Sequence, residues 1–403
     1  MMDIFRNLYD MTSVGEIIDH PVILLMLLIG FVLLYLGIKM KYEPLLLVPI
    51  GFGIIVANIP GGGMGVIPAT EENGMMHLTL LEIGKDYGIM NFLYYSLIKT
   101  NFLPPIIFLG LGALTDFGPM LRNLRLAYFG AAAQIGIFLV LISALAVGFT
   151  PQEAASLGII GGADGPTSIF TTIMLAPHLL GPVAIAAYSY MALVPVIIPL
   201  VVKFTMTRKE LKINMKEMDI RFPNKTPIKN LKTVKIIFPI LLGVIVSILV
   251  PSAIPLIGML ILGNLVKEAG VITERLYKAA SDSIMNTATI FLGITIGATM
   301  TFDAFLTYKT IMILLGGFVA FSISIAGGIF GVKIYNLFNR KKINPLIGAT
   351  GLSAVPMASR VANEIALKHD PHNHLLQYAM ASNISGVIGS AVAAGVLISF
   401  LAF

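Results

Sequence analysis

The sequence places one acidic residue in the middle of a long apolar stretch. Asp164 lies in the run GGADGPT at residues 161–167, and strongly apolar residues flank this run on both sides. A carboxylate in an apolar membrane segment costs about 2.5–3.5 kcal/mol on insertion scales, so such residues usually serve ion or proton pathways. Oxygen ligands suit a small hard cation. We therefore expect Asp164 to bind a cation or a proton. The competing interpretation is a structural ion pair with Arg360.

Three neutral residues that carry side-chain oxygens also lie in or beside apolar stretches. They are Asn344, Ser353 and Asn383. Taken singly, each of them is typical of a hydrogen bond between two membrane helices. Taken together with Asp164, they predict an oxygen cage for a monovalent cation.

Two further side chains have chemistry that suits an anion and a proton. Arg360 is always charged and can bind a carboxylate through two hydrogen bonds, although an arginine near a helix end also commonly extends to the membrane surface. Tyr190 has a hydroxyl that can relay a proton, but most tyrosines in such stretches pack or lie at the interface.

The cluster at 369–374, with sequence HDPHNH, contains a proline between apolar stretches and predicts a polar loop rather than a metal site.

The elements that position these residues are predicted to be membrane helices. Of the 403 residues, 57% are hydrophobic and 12% are charged, whereas a soluble domain averages about 25% charged residues. The apolar residues fall in blocks of near-membrane length. The absence of cysteine excludes disulfides, iron–sulfur clusters and a thiol nucleophile. These features predict an all-α polytopic membrane protein.

Ten apolar blocks predict complete spans, and two further blocks are interrupted. The blocks 153–175 and 343–367 contain helix-breaking Gly and Pro at 161–167, the first break, and at 348–356, the second break. Irregular backbone at membrane depth persists only where protein or water satisfies it, so we expect broken or re-entrant helices beside a cavity. The ten uninterrupted blocks are 22–38, 44–59, 102–118, 126–149, 182–202, 236–250, 253–266, 284–302, 310–333 and 376–402.

A basic loop predicts the orientation of the chain. From Lys203 to Lys235 there are ten Lys or Arg and three Asp or Glu, a net charge of +7 that exceeds the +6 of the whole chain. Basic loops between membrane spans stay in the cytoplasm, so we place this loop there. Membrane orientation then accounts for the positive charge, and we do not expect nucleic-acid binding. With all basic loops cytoplasmic, the ten spans alternate correctly only when neither interrupted block crosses completely. Block 153–175 then enters from outside and block 343–367 from inside, so that the two breaks point at each other.

The sequence also contains an internal repeat. Residues 107–113 are similar to residues 290–298, and each segment precedes a break. We therefore predict a first inverted repeat at 1–203, a basic cytoplasmic linker at 204–235 and a second inverted repeat at 236–403. This architecture is typical of secondary transporters, whose site lies between the repeats near the midplane. Chance similarity between Gly- and Leu-rich helices is the competing interpretation.

Three segments closely resemble the beta subunit of the biotin-dependent sodium-pumping decarboxylases of oxaloacetate, methylmalonyl-CoA and glutaconyl-CoA. They are GGADGPTSIF at 161–170, SAVPMASR at 353–360 and NISGVIGSAV at 383–392. The likeness covers essentially the full chain, and the GGADGPT run is specific. The positions that this family uses for sodium and carboxybiotin chemistry are present as Asp164, Tyr190, Asn344, Gly348, Ser353, Arg360 and Asn383.

The resemblance implies a translocase subunit. A separate carboxyltransferase subunit would move CO2 to biotin on a carrier protein, and this chain would decarboxylate the carboxybiotin while it exports Na+ and consumes a proton. The implied cofactors are Na+ and carboxybiotin presented by the carrier. The implied partners are the carboxyltransferase, the biotin carrier protein, a small membrane anchor subunit, membrane lipid and further copies of this chain, in the cytoplasmic membrane of a prokaryotic cell.

The resemblance also implies a role for each site residue. Arg360, with Ser353, would hold the carboxylate of carboxybiotin, and Tyr190 would help to deliver the proton. A buried carboxylate favours either Na+ or a proton, so exchange at Asp164 would couple the two. The implied Na+ ligands are Asp164, Asn344, Ser353, Asn383 and the carbonyl near Gly348.

Two other classes of protein share some of these features. An ion-coupled secondary transporter of a small anion would have the same inverted repeats, broken helices and buried aspartate, and it would take up solute without a biotin protein. A passive structural subunit of a larger complex would leave the charged residues in both interrupted blocks unexplained.

Overall fold

The computed structural model of the chain is helical throughout the residues that it describes. These residues are 12–41, 43–67, 75–162, 164–222, 230–302, 307–353 and 357–402, and they contain no strand. The all-α class is therefore confirmed. In chain order, the α-helices are Val14–Asp19, Val22–Ile38, Pro44–Ala57, Leu80–Tyr87, Ile89–Leu93, Leu103–Leu114, Gly118–Arg122, Ala127–Ala133, Ile135–Val147, Pro151–Gly158, Gly165–Leu175, Leu180–Ala192, Val194–Thr205, Arg208–Leu211, Met215–Arg221, Leu231–Leu249, Ile254–Glu268, Glu274–Lys278, Met285–Ala298, Tyr308–Phe338, Met357–His369 and Leu376–Leu401.

Several helices are long and apolar enough to cross a membrane. Within the described ranges, four helices qualify singly, and three bent pairs of consecutive helices qualify when each pair is taken as one span. Each of the ten predicted blocks is helical, but ten complete spans remain a prediction. The four single helices are Leu124–Val147, Leu231–Leu249, Tyr308–Phe338 and Leu376–Leu401. The bent pairs are Ile89–Ile98 with Leu103–Leu114, Pro177–Met191 with Val194–Thr205, and Pro251–Glu268 with Gly270–Ala298.

The helix Leu231–Leu249 shows which solvent surrounds the protein. From Ile236 onward its side chains are almost all apolar, few of its residues are buried, and Ile237, Leu241 and Ile245 are exposed. A helix that exposes apolar residues in this way is expected where its neighbours are lipid chains rather than water. This helix therefore has the character of a membrane span at the edge of the fold.

The chain forms two compact units, and each unit includes residues from before and after the basic linker. In the first unit, Val22–Ile38 packs along Pro44–Ala57, and Gly30 lies directly against Gly51. The first unit comprises Met1–Leu103, Leu180–Pro182 and Asn286–Ile311, and the second comprises Pro104–Leu179, Val183–Met285 and Met312–Phe403.

The second unit is built around its last helix. Leu376–Leu401 packs against Ala127–Ala133, Gly165–Leu175 and the 3₁₀ turn Pro345–Thr350. Small and polar residues of this helix, such as Asn383, are fully buried at these contacts. The last helix therefore contacts the elements that carry both breaks.

The basic linker contains short helices that the sequence analysis did not predict. Arg208–Leu211 begins with a capping box in which the Thr207 hydroxyl and the Glu210 carboxylate each accept a backbone N–H. The pattern Thr-x-x-Glu is the sequence signal for this start. Glu210 also pairs with Lys333 at 3.0 Å. Residues 223–229 of the linker lie outside the described residues.

The long helix Tyr308–Phe338 lies directly against the second break. A Cβ atom on Gly328 would meet the carbonyl of Gly348, and a Cβ atom on Gly348 would meet the carbonyl of Gly328. Only glycine at both positions permits this approach of the two backbones.

We predict that Gly328→Ala lowers the free energy of unfolding by about 1–3 kcal/mol, because an added methyl group in a packed contact forces the backbones apart. The measurement is the midpoint of thermal unfolding of the purified protein. The matched control is Gly258→Ala, since a Cβ atom on Gly258 would meet no atom within 4 Å. An unchanged midpoint for Gly328→Ala would show that the close packing does not exist.

Candidate functional site

The first break places Asp164 at the start of a helix. The chain forms Pro151–Gly158 and a 3₁₀ turn at Ile159–Gly161, and then begins a new helix at Gly165–Leu175. Asp164 is the N-cap of this helix, and its Oδ1 accepts the Thr167 backbone N–H at 2.7 Å. A carboxylate at this position satisfies a helix donor and lies at the positive end of the helix dipole.

The second break brings Ser353 to the same carboxylate. The Ser353 hydroxyl donates to Oδ2 of Asp164 at 2.7 Å, and the Ser353 backbone N–H donates to the carbonyl of Gly162 at 3.4 Å. The next helix described is Met357–His369, and residues 354–356 of the second break lie outside the described residues, as does Ala163 of the first break. The two breaks therefore meet directly, as the sequence analysis predicted.

Asp164 is buried, and no cationic side chain of a described residue pairs with it. It is 2% exposed, and each carboxylate oxygen accepts one hydrogen bond from a neutral donor. The alternative ion pair with Arg360 does not form, because Arg360 is exposed and has no hydrogen bond or ion pair to any described residue. Since a buried charge needs compensation, this carboxylate suits a proton or a bound cation.

Asn383 holds the second break beside Asp164. Its Nδ2 donates to the carbonyl of Leu352 at 2.6 Å and to that of Thr350 at 3.1 Å. Its Oδ1 is buried and has no hydrogen-bond partner in the described part of the chain. Asn383 therefore fixes the backbone next to Ser353 and retains an oxygen that can bind a cation.

Asn344 and Gly348 lie on the 3₁₀ turn that precedes Ser353. Asn344 caps this turn, because its Oδ1 accepts the Leu346 backbone N–H at 3.0 Å. Its Nδ2 donates to the carbonyls of Leu211 and Ile213 at 3.2 and 3.0 Å. The structure thus ties Asn344 to the linker helices, and neither Asn344 nor Gly348 hydrogen-bonds to the carboxylate.

Two tyrosines of the helix Leu180–Ala192 face different elements. Tyr190 packs its ring on Phe318 with 6.2 Å between ring centroids, and its hydroxyl donates to the carbonyl of Leu314. Tyr188 is fully buried against Gly165, where a Cβ atom would meet its ring. Residues two apart in a helix face different sides, so Tyr188 faces Gly165 of the first break whereas Tyr190 faces Gly317 and Phe318.

Sequence reasoning missed one polar residue that lies beside both breaks. Gln134 is buried between Ala127–Ala133 and Ile135–Val147, and its side chain donates to Gly351 of the second break at 3.3 Å. The sequence feature that could have identified Gln134 is its position as a single amide side chain inside the apolar block 126–149. Residues 369–374 form the end of a helix and a loop, and the described residues contain no group of three or more side chains placed to bind a metal ion.

These features define a helical membrane protein with a buried carboxylate between two interrupted segments. A family model described as the Na+-transporting oxaloacetate decarboxylase beta subunit matches residues 22–401. The chain is 48% identical over 382 residues to the methylmalonyl-CoA decarboxylase subunit beta of Propionigenium modestum, which covers 93% of this chain and 94% of the relative. It is 42% identical over 419 residues to the oxaloacetate decarboxylase beta chain of Klebsiella pneumoniae, which covers 94% of each chain.

The chain belongs to the family of Na+-transporting oxaloacetate decarboxylase beta subunits. The resemblance inferred from the sequence is therefore confirmed, and so is the interpretation of the chain as a beta subunit of a sodium-pumping decarboxylase complex. No comparison favours the alternative of a secondary transporter for a small anion.

We predict that Ser353→Ala lowers the rate of Na+-dependent decarboxylation by the assembled complex by about tenfold, because a buried carboxylate oxygen loses its donor. The matched control is Ser385→Ala, whose hydroxyl donates to the carbonyl of Ala127 at 2.6 Å and does not contact Asp164. If Ser353→Ala and the control both retain the wild-type rate, the hydrogen bond to Asp164 has no role in the reaction.

Proposed function

We propose that the chain is the membrane subunit that decarboxylates carboxybiotin, exports Na+ and consumes a proton. One observation carries this proposal: Asp164 is buried where the two breaks meet, and both of its oxygens are held by neutral donors. Such a carboxylate accepts either a proton or a cation, because both neutralise it. The relatives named as oxaloacetate and methylmalonyl-CoA decarboxylase subunits support the same function.

The reaction needs a proton at a defined moment. When carboxybiotin breaks down, its N–C bond cleaves, CO2 leaves, and the electron pair that remains on the biotin nitrogen takes up one proton. Na+ binding at Asp164 displaces the proton of the carboxyl group, which then becomes available for this nitrogen. Release of Na+ to the outside allows a new proton to bind. Each exchange at Asp164 therefore links one decarboxylation to ion movement.

The oxygens around Asp164 would complete the Na+ site. Ser353 contributes its hydroxyl, and Asn383 contributes the Oδ1 that has no partner in the described residues. Asn344 Oδ1 already accepts one backbone N–H, but an amide oxygen has a second lone pair that can bind a cation. The carbonyl of Gly348 is the remaining proposed ligand.

Two further residues would handle the biotin group. The exposed guanidinium of Arg360 has no partner among the described residues, so it is available to bind the carboxylate of carboxybiotin. Ser353 would donate a hydrogen bond to the same carboxylate, which requires that its hydrogen bond to Asp164 break, because a hydroxyl has one hydrogen to donate. Tyr190 would help to deliver the proton. Because its hydroxyl donates to the carbonyl of Leu314, this role requires that hydrogen bond to break during the cycle.

The proposed topology assigns the site to two inverted repeats of a membrane protein. The repeats are 1–203 and 236–403, with about ten complete spans, and the basic linker 204–235 faces the cytoplasm of a prokaryotic cell. The helical character of all ten apolar blocks supports this topology. The proposed partners are a carboxyltransferase subunit, a biotin carrier protein, a small membrane anchor subunit and further copies of the chain.

Export against a membrane potential requires tight coupling. Moving one charge against 100 mV costs about 2.3 kcal/mol. Decarboxylation without ion exchange would dissipate the free energy that drives this movement. An exchange at one buried carboxylate prevents this loss, because the proton is available only when Na+ has taken its place.

We predict that Asp164→Asn abolishes both carboxybiotin decarboxylation and ²²Na+ uptake into inside-out vesicles that contain the complete complex, because an amide cannot exchange Na+ for a proton. The measurement is CO2 release and tracer uptake in the same sample. Normal Na+ transport by Asp164→Asn would overturn the assignment.

A second buried carboxylate supplies the matched control for this experiment. Glu153 is 3% exposed, and its side chain accepts the Thr150 backbone N–H and contacts His178 at 2.9 Å. Glu153→Gln should retain coupled transport.

Avidin added to the wild-type complex should block ²²Na+ uptake, whereas a secondary transporter would be unaffected by it.

A further inference from the structure

The amide of Gln134 is oriented by three carbonyl groups. Its Nε2 donates to the carbonyls of Gly130 at 3.1 Å, Gly351 at 3.3 Å and Gly386 at 3.4 Å. Only the nitrogen of an amide can donate, so these carbonyls determine which way the group points. The oxygen must therefore face the opposite side.

That opposite side is the first break. A Cβ atom on Gly162 would lie within contact distance of Gln134 Oε1. Gln134 is 7% exposed, and its Oε1 has no hydrogen-bond partner among the described residues. One side chain therefore donates to the second break and directs an unpartnered acceptor at the first break.

Ser324 presents a second unpartnered oxygen to Gly161, the neighbouring glycine of the first break. It is fully buried in the long helix Tyr308–Phe338, and its Oγ lies 3.2 Å from the position of a Cβ atom on Gly161. Its Oγ also contacts Gly136, two residues after Gln134.

The Ser324 hydroxyl differs from those of several other helical serines, and it shares its lack of a partner with Ser359 and Ser382. Ser322, on the same helix, donates to the carbonyl of Phe318, four residues earlier, at 2.9 Å. Ser143 and Ser390 likewise donate to carbonyls of their own helices. Such local bonds are the ordinary solution for a serine in an apolar helix. Ser324 makes no hydrogen bond in the described part of the chain, so its oxygen is free for a ligand.

We propose that Gln134 Oε1 and Ser324 Oγ form a second Na+-binding position beside the first break, two residues before Asp164. This inference rests on the proposed function and extends it. Both ligands are neutral oxygens of the kind that Na+ accepts, and unpartnered buried oxygens carry a desolvation cost that a cation removes. Because the position has no formal charge of its own, it binds Na+ more weakly than a carboxylate and passes the ion to or from Asp164.

The experiment measures how the decarboxylation rate of the complete complex depends on Na+ concentration. We expect Ser324→Ala to raise the half-saturating Na+ concentration about three- to tenfold while the maximal rate is retained, because one neutral ligand is lost. Gln134→Glu should lower the half-saturating concentration, because it adds a negative charge to the same oxygen position. The matched control is Ser390→Ala, whose buried hydroxyl is bonded within its own helix.

The outcomes separate this inference from the proposed function. A wild-type complex that decarboxylates carboxybiotin without Na+ would overturn the proposed function itself. If the wild type depends on Na+ and Ser324→Ala has the same half-saturating concentration, the second position does not exist. A lower maximal rate with an unchanged half-saturating concentration would likewise reduce Ser324 to a packing role. Ser324→Ala removes a single buried atom, so it remains decisive if Gln134→Glu fails to assemble.

Discussion

A carboxylate kept inside an apolar protein must be held by donors or be neutralised, and the second unit is organised around this constraint. Asp164 receives one donor from its own helix and one from Ser353, which is 189 residues away in the sequence. The second hydrogen bond requires that two interrupted segments touch. Asn383 fixes the second break at this contact, and the glycine pair at 328 and 348 allows the long helix to pack behind it.

The same constraint bears on how a member of this family of ion pumps could couple a reaction to ion movement. A buried carboxylate between neutral donors has two stable partners, a proton and a cation, and it releases one when it binds the other. In the proposed mechanism, this exchange links a reaction that consumes a proton to ion movement. The backbone at the two breaks would supply further oxygens for the desolvated cation.

Much of this arrangement is predictable from the sequence, and the rest depends on side-chain direction. The apolar blocks predict the helices, and Gly and Pro predict the breaks that bring Asp164 and Ser353 together. Tyr188 and Tyr190 are two residues apart in one apolar helix, and nothing in the pattern shows which of them faces the first break. The bonding of Asn344 depends on the position of the linker helices, because their carbonyls use its amide group. A basic, mostly polar segment does not reveal where it packs.

The most direct test of the account is whether Na+ binding displaces a proton from Asp164. Na+ is added to the purified complex in a weakly buffered solution without carboxybiotin, and the pH change is recorded. The account predicts that the wild-type complex releases protons in proportion to the Na+ bound and that Asp164→Asn releases none. Proton release that is absent in the wild type, or that persists unchanged in Asp164→Asn, would contradict it.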